Sequence, residues 1–341
     1  LTAAEVRAEM NGGRWPGESG MALLLVLAVI AVLSVVVIGF NDRTQSAMER
    51  AFYVQDKVQM QAMAESGVDI GLAVLYHDGK ESDHDTLVED WAKLDSQELG
   101  KLFGDGGLRV GIADLSGRFP VNRLVALAEV ATGNDSEAYR EMLVRLLTNG
   151  QFAVEDDIEA RIIVDSLTDW LDGDDDPLPY GAENAYYLSL TEPRPARNGP
   201  VEVVDELLQV RGMTMEILHG SGEKKGLAEY ISIYGNDRIN INTAPALVLQ
   251  ALAPDISEED VSIIDDFRRN EDSTLLLAKP NWYLSVLGWP QDIVIEPSLI
   301  TTNSSFFRVV AAARHRTHTL RMTADVARDS QEMSIYYRSM D

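Results

Sequence analysis

The sequence predicts an α+β fold in which one long N-terminal helix packs on a small antiparallel sheet, with a large all-α domain inserted between strands. Three observations carry this. An apolar run continues without proline into a helix-spaced stretch, helix-period blocks fill the middle of the chain, and period-two alternation closes it. The 341 residues hold 29 Lys+Arg against 55 Asp+Glu, a formal net charge of −26, and 45% are hydrophobic. Such a chain is no disordered polyelectrolyte. Its charge also opposes nucleic acid or anionic lipid headgroups as the main partner, because both need a basic surface, and it favours cations or basic protein surfaces. Cysteine is absent, which excludes disulfides, thiolate metal sites and cysteine nucleophiles.

Residues 21–40, MALLLVLAVIAVLSVVVIGF, carry no charge. As a helix rising about 1.5 Å per residue they span a hydrocarbon core of about 30 Å. The run is longer than the core of a secretory signal, so a retained single-pass membrane helix is expected. Before it, Arg7 and Arg14 stand among Glu5, Glu9 and Glu18. The arginines favour a cytoplasmic N-terminus. From Asn41 to Tyr76 there is no proline, and Ala47, Ala51, Val54, Val58 and Ala62 recur at helical spacing. One continuous helix should therefore leave the membrane and lay a stripe on something.

Beyond an acidic stretch, Leu108 to Leu115 alternates like a strand, and Ser116-Gly117 predicts a hairpin turn into Arg118–Val121. Helical blocks are expected at RLVALAEVA from Arg123, at SEAYREMLVRLL opened by Asp135, at EDDIEARIIVDSLTDWL and at VEVVDELLQV. A strand is expected at Tyr230–Tyr234, then helices at APALVLQAL and SEEDVSIIDDFRR. Ser257 and Asp260 form a capping box for the second, while Asn242-Thr243 reads as a cap for the first. Phe307, Val309, Ala311 and Ala313 alternate, as do Leu320, Met322, Ala324 and Val326 against Thr319, Arg321, Thr323 and Asp325. This predicts a closing antiparallel pair with one solvated face.

Glu155 to Glu183 contains eleven acidic residues and one basic residue, Arg161. Its densest part is DWLDGDDDPLPYGAEN. With Asp172 at position 1, Asp174 and Asp176 fall at 3 and 5, the Leu178 carbonyl at 7 and Glu183 at 12, the carboxylate spacing of a calcium loop. Pro177 occupies the place of the EF-hand glycine, so the loop is not an EF-hand in the strict sense. Crowded carboxylates repel unless they share a cation, and Ca²⁺ accepts six to eight oxygens in flexible geometry where Mg²⁺ resists dehydration. Calcium is the expected ion.

Gly20-Met21 before the apolar run resembles the processing site of type IV prepilins and type II secretion pseudopilins. DWLDGDDDPLPYGAENAYY, DLSGRFPVNRL, VEVVDELLQVRGM and YGNDRININTAPALVLQAL together resemble the minor pseudopilin K family of type II secretion. The resemblance implies a pilin-like fold with an inserted helical domain. It implies cleavage at Gly20 by prepilin peptidase and methylation of Met21, a place in the inner membrane with the C-terminal domain in the periplasm, and a position at the pseudopilus tip. The implied partners are the minor pseudopilins I and J and the major pseudopilin. It also implies one or two calcium ions, with Asp172, Asp174 and Glu183 as ligands, Asp169, Asp176 and Asn184 as second-site or outer ligands, and Asn198 from the following turn. The expected division is a leader over 1–20, a membrane helix over 21–40, the helix continuation and first strands over 41–122, the inserted domain over 123–226 and the rest of the pilin-like domain over 227–341. Major pilins resemble one another in carrying Glu at the fifth mature position. Here Leu25 stands there, which suits a subunit with no neighbour above it, since a buried carboxylate without a partner is costly.

INTAPALVLQAL with the next helix resembles a helix-hairpin-helix, but Arg268 and Arg269 are its first basic residues, so it reads as a packing module rather than a nucleic-acid site. His315 and His318, at spacing three, should point to opposite faces of a strand. The sequence lacks G-x-S-x-G and H-E-x-x-H, and GSGEKKG lacks Walker spacing. The expectation is a non-enzymatic assembly subunit. The alternatives are a minor pilin of a type IV pilus and a single-pass membrane metal-dependent hydrolase.

Overall fold

The proline-free stretch folds as one helix, α1 (Glu18–Glu81), in the computed structural model, which describes residues 18–94, 106–125, 135–235, 238–316, 318–329 and 332–341. Residues 1–17 of the expected leader and most of the expected helix over 123–131 lie outside these. The described chain continues through α2 (Asp90–Lys93), β1 (Gly106–Asp114), β2 (Phe119–Pro120), α3 (Asp135–Leu147), α4 (Asp157–Leu171), α5 (Asn184–Tyr187) and α6 (Met215–His219). It closes with β3 (Ile231–Ser232), β4 (Ile239–Asn240), α7 (Ala246–Ala251), α8 (Glu258–Arg268), β5 (Ile300–Thr301), β6 (Phe306–His315), β7 (His318–Arg328) and β8 (Met333–Met340).

Residues up to Gln59 and those from Met60 onward form two units. In the first, the apolar side chains of α1 are exposed, and the most apolar 18-residue window has a mean hydropathy of 3.3 with nothing buried. Ala47, Ala51, Val54 and Val58 are exposed as well, so among the described residues the expected stripe is uncovered.

Packing begins at Met60. Met60, Met63, Ala64, Val68 and Leu75 recur at helical spacing and bury against an antiparallel sheet of order β1-β6-β7-β8. The sheet answers with Leu108, Val110, Phe307, Val309, Ala311, Ala313, Leu320, Met322, Ala324 and Val326, one face of a period-two pattern. Val110 pairs with Ala311, and Val309 with Ala324. Two glycines permit the contact. A Cβ on Gly67 would stand 2.8 Å from Ala311 Cβ, and one on Gly71 2.5 Å from Val309 Cγ1, closer than packed carbons come.

Several expectations need correction. β1 and β2 form no hairpin: β1 pairs with β6, and β2 pairs in parallel with β3, Phe119 opposite Ile231. The closing pair gains a third strand, β8, whose pattern is masked because its side chains are mostly exposed. The outer face is only partly solvated. Asp325 is 1% exposed and receives two hydrogen bonds from Arg308, at 2.6 and 2.7 Å. VEVVDELLQV forms a 3₁₀ turn, Val204–Gln209, rather than an α-helix. His315 and His318 face each other as cross-strand partners, because a turn with Arg316 at φ 53° separates them.

The capping box of α8 is formed as the spacing predicts. Asn242-Thr243, by contrast, does not cap α7, which starts after Pro245 with no side-chain cap. Asn242 is buried. Its amide donates to the carbonyls of Asp85 (3.1 Å) and Leu277 (3.0 Å) and accepts from Trp282 Nε1 (2.8 Å). Thr243 Oγ1 donates to the buried carboxylate of Asp114, as does Ser304. Arg268 is 2% exposed, held by the Ile241 carbonyl and Asp265, so its charge is directed inward.

A second, larger core joins α3, α4, α7 and α8 with the turns between them, from Phe119 to Ile300. The segment expected as 227–341 thus divides: Ile239–Ile300 packs with this helical core and Phe306–Met340 builds the sheet. Asp85 links the two. Arg328 pairs with both Asp85 and Asp78, and the Ser304 amide donates to Asp85 at 2.7 Å.

Burial pushes the Asp85 carboxyl up to about 7, against the pull of Arg328. Its folded value lies above the unfolded one, so the folded state holds the proton more tightly. The resulting stability is complete below about pH 4 and lost as pH rises through about 7. The difference in urea midpoint between the wild type and D85N should therefore change over this window, with wild type losing stability more steeply; parallel profiles would contradict it. Gly71→Ala should lower stability by about 1–2 kcal/mol, because overpacking against Val309 outweighs the helix propensity gained. A midpoint equal to or above wild type would exclude the close contact.

Candidate metal centre

α4 is an amphipathic helix started by Asp156, whose carboxylate accepts the Glu159 amide, and it ends at Asp172. Its last turn and the loop that follows place three carboxylates together. Asp169, Asp172 and Glu183 each present an oxygen within 4.8 Å of the others. Asp169 and Glu183 are buried, at 0% and 3% exposure, and Asp172 is half-buried. The loop is ordered by aromatic packing below it: Trp170 meets Tyr187 edge-on at 5.0 Å, and its Nε1 donates to Glu206 at 3.1 Å.

Burial and mutual repulsion show in the acidities. Burial, assisted by the charge of Asp172, lifts Asp169 to about 6, against the lowering pull of the Leu178 amide. Glu183 rises to about 7 through burial and then the charges of Asp172 and Asp169. Asp172 is raised by burial and by Asp174.

The residues present fit a hard cation. Both Oε atoms of Glu183, Oδ1 of Asp172 and Oδ1 of Asn198 are buried and accept no hydrogen bond among the described residues. Four orphaned oxygens of this kind are costly without a cation. One ion with bonds of about 2.3–2.6 Å can bridge the spread of the three carboxylates.

The other expected ligands are placed differently. Asp174 Oδ1 accepts the Asp176 amide at 2.9 Å in a local turn, and Asp176 is exposed. Asn184 is engaged at both ends of its amide: Nδ2 donates to Asp175 (2.6 Å) and Oδ1 accepts the Ala196 amide (2.8 Å). Through that bond it anchors the turn carrying Asn198, whose Nδ2 donates to the Asp174 carbonyl at 3.2 Å. Asn198 adopts φ 49°.

Two further residues, Gly181 and Arg211, support the site. A Cβ on Gly181 would collide with the Asp169 carboxylate, so only glycine admits that carboxylate beneath the loop. Arg211, thirty positions away, donates to the Gly181 carbonyl at 3.0 Å and covers the ring of Tyr186. A second carboxylate cluster, Asp78, Asp85 and Glu89, contains Arg328 as its cation and is set apart from the metal question.

Comparison with known proteins adds to this geometry. The family described as "Type II secretion system (T2SS), protein K" matches residues 117–220 and 239–268, which include the acidic loop. The type II secretion system protein K of Aeromonas hydrophila is 32% identical over 235 residues, covering 66% of this chain and 67% of the relative. That of Pseudomonas aeruginosa is 30% identical over 244 residues, covering 69% and 68%. The fold is similar to that of a chain in the crystal structure of the GspK-GspI-GspJ complex from the enterotoxigenic Escherichia coli type 2 secretion system. The TM-score is 0.61 at 19% identity, over 86% of this chain and 99% of that one. The long helix on an antiparallel sheet with a helical insertion is thus a pilin-like fold, and the chain belongs to the type II secretion system protein K family.

Proposed function

We propose that the chain is the minor pseudopilin at the tip of the type II secretion pseudopilus, where it initiates assembly with the minor pseudopilins I and J and supports export across the outer membrane. The observation that carries this reading is the first unit of α1. From Met21 to Phe40 its apolar side chains have no cover among the described residues, and lipid and sibling helices would supply it. Ala22, Ala28, Ala31 and Gly39 allow close helix approach there. Leu25, exposed on this helix, offers no carboxylate for a neighbour's N-terminal amine, which fits a subunit that begins a filament. The soluble part lies in the periplasm, and the major pseudopilin follows below. The subunit acts by assembling rather than by catalysis.

Asp169, Asp172 and Glu183 would hold Ca²⁺, with the unpartnered Asn198 oxygen as a further candidate ligand, and Asp174, Asp176 and Asn184 order the surrounding loop. When bound, the ion supplies the positive charge that lets these buried oxygens ionise together. Prepilin peptidase would cut after Gly20 and leave a methylated Met21.

Three measurements test these proposals. Mass spectrometry of the membrane-extracted protein should find Met21 N-terminal and methylated, and a mature chain that begins beyond Phe40 would overturn the anchored reading. Replacing Ala28 and Ala31 by Leu should lower co-purification with pseudopilins I and J, and unchanged recovery would argue against assembly through this helix. Calcium at 100-fold above its dissociation constant should add about 2.7 kcal/mol of stability, seen as a higher melting temperature that chelator reverses. The double variant D172N/E183Q should lose that response, and a wild type indifferent to both treatments would remove the metal centre.

A further inference from the structure

Beyond the apolar segment, three consecutive heptads of α1 each open on an acid followed by a base: Asp42-Arg43, Glu49-Arg50 and Asp56-Lys57. Neighbouring opposite charges in this stretch are one, six or eight positions apart. None are three or four apart, the spacings at which side chains meet on a helix, so these charges cannot neutralise one another along α1. Charges on the other helices do. Arg140 pairs with Glu137, Arg161 with Asp157 and Arg269 with Asp265, all at spacing three or four. Arg43, Arg50 and Lys57 are exposed and make no hydrogen bond or ion pair among the described residues.

The apolar residues follow the same repeat. Ala47, Ala51, Val54 and Val58 are spaced four, three and four, which makes them the seam positions d, a, d and a of a coiled coil. In that frame all three bases fall at g, the position that borders the seam, and all three acids fall at f, turned away from it. The flank of the seam is therefore uniformly basic.

A helix anchored in the same bilayer leaves it in the same direction, so its contact with this stretch is parallel. In a parallel pair each g residue meets the e residue five positions further along the partner helix. In a second copy of this chain those residues are Met48, Gln55 and Ala62, all neutral. A second copy would leave the three bases unanswered.

We propose that residues 40–58 of α1 form a parallel helix–helix interface with a different membrane-anchored subunit, one that carries Asp or Glu every seven residues along the flank facing Arg43, Arg50 and Lys57. This rests on the assembly reading above, and it adds which neighbour is accepted and in what register. The seam holds the two helices together while the charges choose the partner. A slip of less than a heptad separates all three pairs at once, so the match also sets the axial position of the neighbour.

The test is co-expression of the tagged full chain with pseudopilins I and J and the major pseudopilin, then detergent extraction and quantified recovery of each. R43E/R50E/K57E should lower recovery of one of them at least tenfold, and R43Q/R50Q/K57Q at least threefold. Melting temperatures should not change, because these side chains have no partner in the fold. D42N/E49Q, on the far side, should stay within twofold of wild type. Lysine in place of the heptad-spaced acids of the affected subunit should restore recovery by the charge-reversed chain. Because the chain has no cysteine, A51C supplies a single thiol, which a thiol-directed crosslinker should join to that subunit rather than to a second copy. Recovery unmoved by the charge changes, an equal loss in D42N/E49Q, an affected subunit without acids at this spacing, or crosslinking to a second copy alone would overturn the inference and leave the assembly reading standing. A lowered melting temperature of the charge-reversed chain would overturn it too, by showing that the bases serve the fold. A wild type that recovers none of the three subunits would overturn both.

Discussion

The contact that the sheet depends on is the direct approach of α1 to β1 and β6, where Gly67 and Gly71 leave out the side chains that would hold the layers apart. Dispersion falls steeply with distance, so a gap of even one methyl would forfeit much of the contact with Ala311 and Val309. The small residues on the sheet side are the other half of the same fit. Ala311 lies against Gly67, and Ala313, Ala324, Phe307, Met322 and Val326 belong to the same buried cluster. The same helix carries the Met21–Phe40 segment, which is long and apolar enough to cross a membrane, so one element combines a candidate anchor with a packed stretch.

The acidic centre follows a different logic. Hydrophobic burial positions Asp169 and Glu183, and electrostatics opposes their being there. The raised acidities of the three carboxylates and the orphaned oxygens are two views of one unfavourable arrangement, which the proposed divalent ion would relieve. Buried charge elsewhere in the molecule is resolved internally. Arg328 answers Asp85 and Asp78, and Asp265 answers Arg268. Among the described residues, the carboxylates that follow α4 have no such internal answer.

Long periodic elements were legible from the residues alone. The helix from Glu18 to Glu81, the helix from Asp157, the capping box at Ser257 and the alternation in β6 and β7 all follow from local pattern. What could not be read was pairing. DLSGRFPV has the form of a hairpin, yet β1 finds its partner about two hundred residues later, and nothing local in the sequence encodes that choice. β8 was missed because an exposed edge strand needs no alternation. Asn242 and Thr243 looked like caps because capping is what those side chains usually do near a helix start; only the tertiary fold brings Asp85, Asp114 and Trp282 within their reach. At the acidic loop the carboxylates were evident from density and spacing. The structure draws together Asp169, Asp172 and Glu183, whereas the loop numbering favours Asp174, because the last turn of α4 contributes a carboxylate that a linear count does not include.

The parallel pairing of Phe119 with Ile231 brings the two ends of the helical insertion to adjacent positions. Seen from the sheet, more than a hundred residues leave and re-enter through one doorway. That one pairing fixes where the insertion leaves and returns, while α7 and α8, which join the same core, tie its interior to the later part of the chain.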